Sequence, residues 1–162
     1  MEVLLEACRL IPSLHLTLLW RGRLVNQLEN LIEKFGVGNQ VKVINAHMDI
    51  QQVMDSVHAT VLLSESASLV KAFPHSLVES LACGKPVLVS EEIAMSDYVK
   101  DKSVGLVVDG IDLASLLNQI DLLRSKYEMF RLNAEMVGGK DFSVDCMLEE
   151  MGKLYHEIDA SI

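Results

Sequence analysis

Glu79, His75, Ser76 and Leu77 lie in a run, residues 75–83, whose apolar members Leu77, Val78, Leu81 and Ala82 recur at helical spacing. Pro74 stands where a first helical turn can start and Gly84 where the helix closes. The leading amides of such a helix have no partner inside it, and the helix dipole favours negative charge there. His75, Ser76 and Leu77 are therefore candidates to hold a diphosphate, with Glu79 one turn further along the same cleft. Upstream, Gly22 lets a turn approach a ligand closely, and Arg21 or Arg23 could reach phosphate oxygens. Backbone groups around Ala46 and His47 could pair with the edge of a base, and the Lys71 cation could meet phosphate or a sugar acid. Each position has a plainer reading. Glu79 fits a solvated helix face, Lys71 a solvated loop, His75 an ordinary capping turn, and Gly22 and Gly84 simple turns.

Other chemistries find little support. His47, His58 and His75 lack metal-ligand spacing to carboxylates or cysteines, so no metal is expected. Cys8, Cys83 and Cys146 are far apart in apolar helical surroundings, which predicts reduced core thiols, and the eight methionines read as core filler. A formal net charge of −9, with no basic stripe interleaved with aromatics, argues against nucleic acid. It does not exclude a small anion held locally by amides. No apolar run is long enough to span a membrane and no leader pattern opens the chain, so a cytoplasmic protein is expected, peripheral to membranes at most.

The elements that must position these residues alternate. Strands are expected at 14–20, 41–44, 59–63, 86–90 and 104–108. Between them the spacing predicts helices over 2–10, 24–35, 50–56, 75–83, 92–99 and from Asp112 onward, and a C-terminal helix with Met147, Leu148, Met151, Leu154, Tyr155 and Ile158 in one stripe. Such alternation implies one α/β domain over 1–162, a Rossmann-like doubly wound parallel sheet with ligands at the carboxyl ends of its strands.

The run Lys71-Ala-Phe-Pro-His-Ser-Leu-Val-Glu-Ser-Leu-Ala-Cys-Gly-Lys-Pro-Val87 resembles the donor-site signature of retaining GT-B glycosyltransferases of group 1, or family 4. In that family a Glu-x7-Glu pattern leads into a helix that ends in a small-residue-Gly-x-Pro-Val turn. Glu79 matches the second glutamate, whereas Lys71 replaces the first, which in relatives lies near the donor sugar. Leu18-Leu19-Trp20-Arg21-Gly22-Arg23, the strand at 41–46 and the segment 97–105 extend the likeness along most of the chain, although residues 73–87 are the specific part. The resemblance implies that Glu79 accepts hydrogen bonds from ribose hydroxyls of a UDP- or GDP-sugar, a binding role rather than acid-base catalysis.

It also implies the C-terminal, donor-binding domain of a hexosyltransferase that needs no metal or other cofactor and acts on a glycan or lipid acceptor held by an N-terminal domain. In relatives a strand ending Gly-Arg and a loop with a lysine-glycine pair precede the region matched by residues 1–11. The expectation is thus a truncated chain that lacks the first central strand and does not turn over alone. In a sheet of order 3-2-1-4-5-6 that strand separates the second from the fourth. The strands at 14–20 and 59–63 are then expected either to close up into a five-stranded sheet or to receive a strand from another chain. A non-catalytic nucleotide-binding or interaction module paired with another chain is the alternative; a sugar-nucleotide epimerase would need acidic residues not found here.

Overall fold

The computed structural model describes residues 1–20 and 22–159, in which short aliphatic runs form strands and amphipathic runs form helices. The order is α1 (Glu2–Leu10), β1 (Leu16–Leu19), α2 (Val25–Phe35), β2 (Val41–Ile44), α3 (Ile50–Asp55), β3 (Thr60–Leu62), a 3-10 turn (Ala67–Leu69), α4 (His75–Ala82), β4 (Val87–Ser90), α5 (Ser96–Lys102), β5 (Gly105–Val108), α6 (Leu113–Ser125), α7 (Tyr127–Asp141) and α8 (Val144–Asp159). Every strand pairing is parallel. Two helical layers cover the strands. Alternation along β4 sends Val87 and Val89 to one face, where α4, α5 and α7 supply Leu77, Leu81, Val99, Ala134 and Val137. Leu88 points to the other face, against Ala7 of α1 and Leu116 and Ile120 of α6. A second cluster joins Leu5 and Cys8 of α1 to Leu28 and Ile32 of α2 over β1 and β2.

The strands do not close into one sheet. Among the described residues β1 pairs only with β2, and β3-β4-β5 form a separate three-stranded sheet. The expected closing-up of residues 14–20 against 59–63 is therefore corrected. α1 lies across both units on one face, with Leu5 and Cys8 in the β1-β2 core and Ala7 in the β4-β5 core, and Leu14 packs into both. With the apolar faces buried by that bridge, the two strand edges can stay apart. β4, flanked on both sides, is buried at all four residues, whereas β1 and β3 are half-exposed.

Local chemistry sets several element boundaries. Asp49 accepts a hydrogen bond from the Gln51 amide at 2.9 Å and starts α3, and Asp112 accepts from the Ser115 amide at 3.0 Å and starts α6. Ser143 Oγ accepts from the Cys146 amide at 3.1 Å and starts α8. Gln40 Nε2 donates to the carbonyls of Cys8, Ile11 and Leu14 at 2.7–3.0 Å, tying the end of α1 and the entry to β1 to the start of β2.

Three further expectations change. The short helix expected over 92–99 begins only at Ser96, because residues 91–95 make turns with Ile93 and Met95 buried. α7 was not expected at all. The methionines are core residues only at Met54 and Met95; Met129, Met136, Met147 and Met151 are exposed. The stripe on α8 is likewise exposed, on a helix that packs along α7. The three thiols are free, with Cys8 buried and Cys83 and Cys146 half-buried.

Candidate functional site

Parallel strands put their following loops at one edge of each sheet, so the chemistry-bearing residues sort by the strand they follow. After β1 comes Gly22, at φ 152° with open space around its Cα, in a backbone conformation that side chains disfavour. Arg23 is exposed beside it, and Arg21 lies outside the described residues. After β2, Ala46 and exposed His47 lead to α3. Leu19, Ile44, Ala46, Met48 and Ile50 line an apolar depression of about 300 Å³ at this end of β1 and β2. α3 begins at its rim and packs against α4, which links this depression to the second group of residues.

That group follows β3. The loop 64–74 is held down by serines that sequence reasoning missed. Buried Ser90, at the end of β4, accepts the Ser64 amide at 2.8 Å and donates to the Ser64 carbonyl at 2.9 Å. Ser64 Oγ donates to the Ser66 carbonyl at 2.8 Å, and the hydroxyls of Ser66 and Ser68 lie 2.9 Å apart. The only sequence signal was a serine closing the aliphatic run Val87-Leu-Val-Ser90.

At the other end of the loop, Phe73 packs edge-on against Phe142, with centroids 6.2 Å apart, and Phe142 contacts Tyr98 at 5.5 Å. Tyr98 donates a 2.8 Å hydrogen bond to Asp141. Burial, reinforced by the Asp141 carboxylate, pushes the Tyr98 phenol well above its ordinary range. The aromatic of the motif is thereby fastened to α5 and to the end of α7.

α4 starts directly after Pro74, which as a proline offers no amide and makes no side-chain cap. Its carbonyl takes the amides of Leu77 at 3.0 Å and Val78 at 3.4 Å. Leu77 is fully buried, so of the three first-turn residues it is committed to the core. Among the described residues the amides of His75 and Ser76 have no backbone acceptor, and they open toward the carboxyl end of β3. Exposed Glu79 lies four residues from exposed His75 and three from half-buried Ser76, which is one face of the helix. Leu77, Ser80 and Leu81 form the opposite, buried face, and Ser80 Oγ donates to the Lys85 carbonyl at 3.1 Å to close the Gly84 turn. Lys71 is exposed on the loop. The structure thus brings His75, Ser76 and Glu79 together, and it keeps Gly22, Arg23 and His47 on the β1-β2 side.

An open pair of helix amides with a carboxylate one turn on can bind an anion and a vicinal diol, and contains no nucleophile-base pair. Among the described residues no cluster of three histidines, cysteines or carboxylates could hold a metal. The sequence model of the family described as "Glycosyl transferases group 1" matches residues 1–135. The chain belongs to the group 1 glycosyl transferases. Compared by sequence with curated proteins, it matches none.

Solved structures show the same fold in other glycosyl transferases. Sucrose-phosphate synthase from Thermosynechococcus elongatus superposes with a TM-score of 0.76 at 21% identity, covering 99% of this chain and 42% of that one. HepE from Anabaena, solved in complex with UDP, gives 0.79 at 20%, covering 97% and 45%. The pneumococcal O-GlcNAc transferase GtfA, in complex with UDP and GlcNAc, gives 0.77 at 17%, covering 97% and 32%. The present chain therefore spans less than half the length of these proteins. The shared fold is the Rossmann-like domain of GT-B enzymes, with parallel strands flanked by helices. No described helix is long and apolar enough to cross a membrane.

Proposed function

We propose that residues 1–162 form the donor-binding, C-terminal domain of a retaining family 4 glycosyltransferase, which moves a hexosyl unit from a UDP- or GDP-sugar to a glycan or lipid acceptor. The observation that carries this reading is the open start of α4, with its free His75 and Ser76 amides and with Glu79 on the same face, inside the run that resembles the donor-site signature and within the residues the family model matches. The diphosphate meets those amides, Glu79 accepts from the ribose diol, and the base occupies the apolar depression beside Ala46 and His47. Gly22 with Arg23 approaches the phosphates from the β1 side. HepE structures with UDP, with UDP and glucose, and with UDP-glucose support a uridine nucleotide.

Transfer breaks the bond from the anomeric carbon to the diphosphate oxygen and forms one to an acceptor hydroxyl oxygen, whose proton is released. The departing charge is stabilised by positioned donors rather than by a metal. An acceptor domain, which closes over the donor and excludes water, completes the enzyme. The present chain alone is read as binding without turnover.

Isothermal titration of the chain with UDP-glucose and with a GDP-sugar tests this. Binding is expected for one of them, with Glu79→Ala weakening it at least about tenfold, the worth of a charged hydrogen bond. Absence of binding at millimolar ligand, or an affinity unchanged in Glu79→Ala, sinks the assignment.

A further inference from the structure

The loop that leads from β3 into α4 is pinned at two points of unequal strength. At its start, buried Ser90 holds buried Ser64 by hydrogen bonds of 2.8 and 2.9 Å. At its end, one residue before Pro74, the pin is a side-chain contact at the surface: Phe73 meets Phe142 edge-on, with centroids 6.2 Å apart, and stays 57% exposed. Between the pins Leu69 is 76% exposed and Lys71 is exposed, while Val70 packs against the core that contains Leu77 and Leu81 of α4. The end of the loop that adjoins the open amides of His75 and Ser76 is therefore the less firmly held one. Phe142 is fixed from behind. It packs against that same core, its ring lies 5.5 Å from the Tyr98 ring, and the Tyr98 hydroxyl donates to Asp141 at 2.8 Å across 43 positions of sequence. Tyr98 belongs to α5, and Asp141 and Phe142 to the end of α7, all outside the run 71–87 that carries the motif.

We propose that Phe142 and Tyr98 are positioning residues of the donor site: without touching the ligand they hold Phe73, and through it residues 71–76, in the placement that binds a nucleoside diphosphate-sugar. The inference rests on the donor-site reading above and adds to it two residues from outside the motif. The link from Phe73 to α4 is stiff. Pro74 sits at φ −71°, its ring fixes that angle, and the residue before a proline is itself restricted to extended conformations. A displacement of the Phe73 ring is therefore passed on to the first turn of α4 instead of being absorbed between them, and on the other side only Ala72 separates it from Lys71. Removing the Phe142 ring takes this contact from Phe73. A ligand that binds only the held placement loses affinity in proportion to the chains that leave it, and a fall of that fraction from near one to about one fifth weakens binding about fivefold.

Isothermal titration of the whole chain and its variants with UDP-glucose and with a GDP-sugar tests the proposal. Phe142→Ala is expected to weaken the bound donor about fivefold, and Tyr98→Ala, which removes the support behind Phe142, about threefold. Phe142→Leu, which keeps most of the apolar volume but not the ring, serves where the alanine variant fails to fold, and at least about threefold is expected of it. Phe142→Tyr keeps the ring and is expected to stay within about twofold of the parent. The decisive measurement is a double-mutant cycle. In a Phe73→Ala background, Phe142→Ala is expected to add less than about twofold, because the ring it acts through is gone. Ile120→Ala, in the core on the opposite face, controls for stability alone: a lower melting temperature with unchanged affinity is expected. If the parent binds and Glu79→Ala weakens it, but the Phe142 variants bind like the parent, or weaken equally with and without Phe73, or weaken no more than Ile120→Ala does, the positioning role is overturned and the donor site stands. If the parent binds neither donor, the donor-site reading falls and this inference falls with it.

Discussion

Replacing Gly138 by alanine is a severe change, although alanine is the better helix former. Gly138 lies in α7 against α4, and a Cβ built there would stand 1.8 Å from the Leu81 carbonyl oxygen and 2.5 Å from its carbon. Both obstacles are backbone, so no rotamer change relieves them. Ordinary contact begins near 3.4 Å, and the helices would have to part by about 1.6 Å. Parting them strips Ala134 and Val137 from the core they share with Leu77 and Leu81. The expected loss is about 3 kcal/mol, the upper part of the range for overpacked cores. For a domain of this size that is a fall in Tm of about 6–12 °C. Gly139 is the internal control. It is the next residue of the same helix, a Cβ there meets nothing within 4 Å, and Gly139→Ala is expected to stabilise by about 0.5–1 kcal/mol through helix propensity alone. Urea unfolding of the two variants beside the parent chain measures both signs. If Gly138→Ala is as stable as Gly139→Ala, the close approach of α7 to α4, and with it the account of what holds the site helix in place, is wrong.

Two further predictions concern supports of the fold and site. Gln40→Leu removes the amide that serves the carbonyls of Cys8, Ile11 and Leu14, and a loss of about 1–3 kcal/mol in urea unfolding is expected, with the α1 amides becoming the first to exchange. The raised pKa of Tyr98 means that its contribution to stability is complete below the ordinary phenol value and is lost as pH rises through the higher folded-state value. An absorbance titration of the tyrosines is expected to show an alkaline component that Tyr98→Phe deletes; a titration unchanged in that variant would contradict the Tyr98–Asp141 contact.

What could be read from residues alone follows the range of the interactions involved. β4 and α4 were legible because Pro74, Gly84 and Pro86 punctuate a clear apolar stripe, and their turn chemistry is local. α7 was not. Its buried face is Phe130, Ala134, Val137 and Gly138, mostly small residues, and the pair Gly138-Gly139 reads as a helix breaker until α4 is seen to need the close approach. The separation of the sheets was beyond reach, since strand pairing is a long-range property and α1, which bridges both units, gives no local sign of doing so. At the site, Glu79 and His75 were placed by helical spacing. The serines that fix loop 64–74 and the Phe73–Phe142 contact join segments 26 and 69 positions apart, and nothing in their spacing announces them.

Lys71 is where this chain departs from the motif it otherwise follows, and the departure bears on the choice of donor. Among the described residues its ammonium is in no ion pair, and it sits on the loop between the serine-fixed end and Phe73, two residues before the segment that packs on Phe142. On the proposed reading, which sets Lys71 beside the donor sugar, the lysine attracts a carboxylate on the sugar and a glutamate there repels it. Charge reversal at an exposed site, after screening, is worth about tenfold in affinity for a singly charged group. Lys71→Glu is therefore expected to weaken UDP-glucuronate about tenfold relative to UDP-glucose, an effect that shrinks with added salt, while UDP alone changes by less than about twofold because its phosphates meet the α4 amides instead. Parallel titrations with the three ligands at two salt concentrations decide between the readings. If both sugar donors shift by the same factor, Lys71 is a solvated loop residue, and the sugar preference must come from the acceptor side of the cleft.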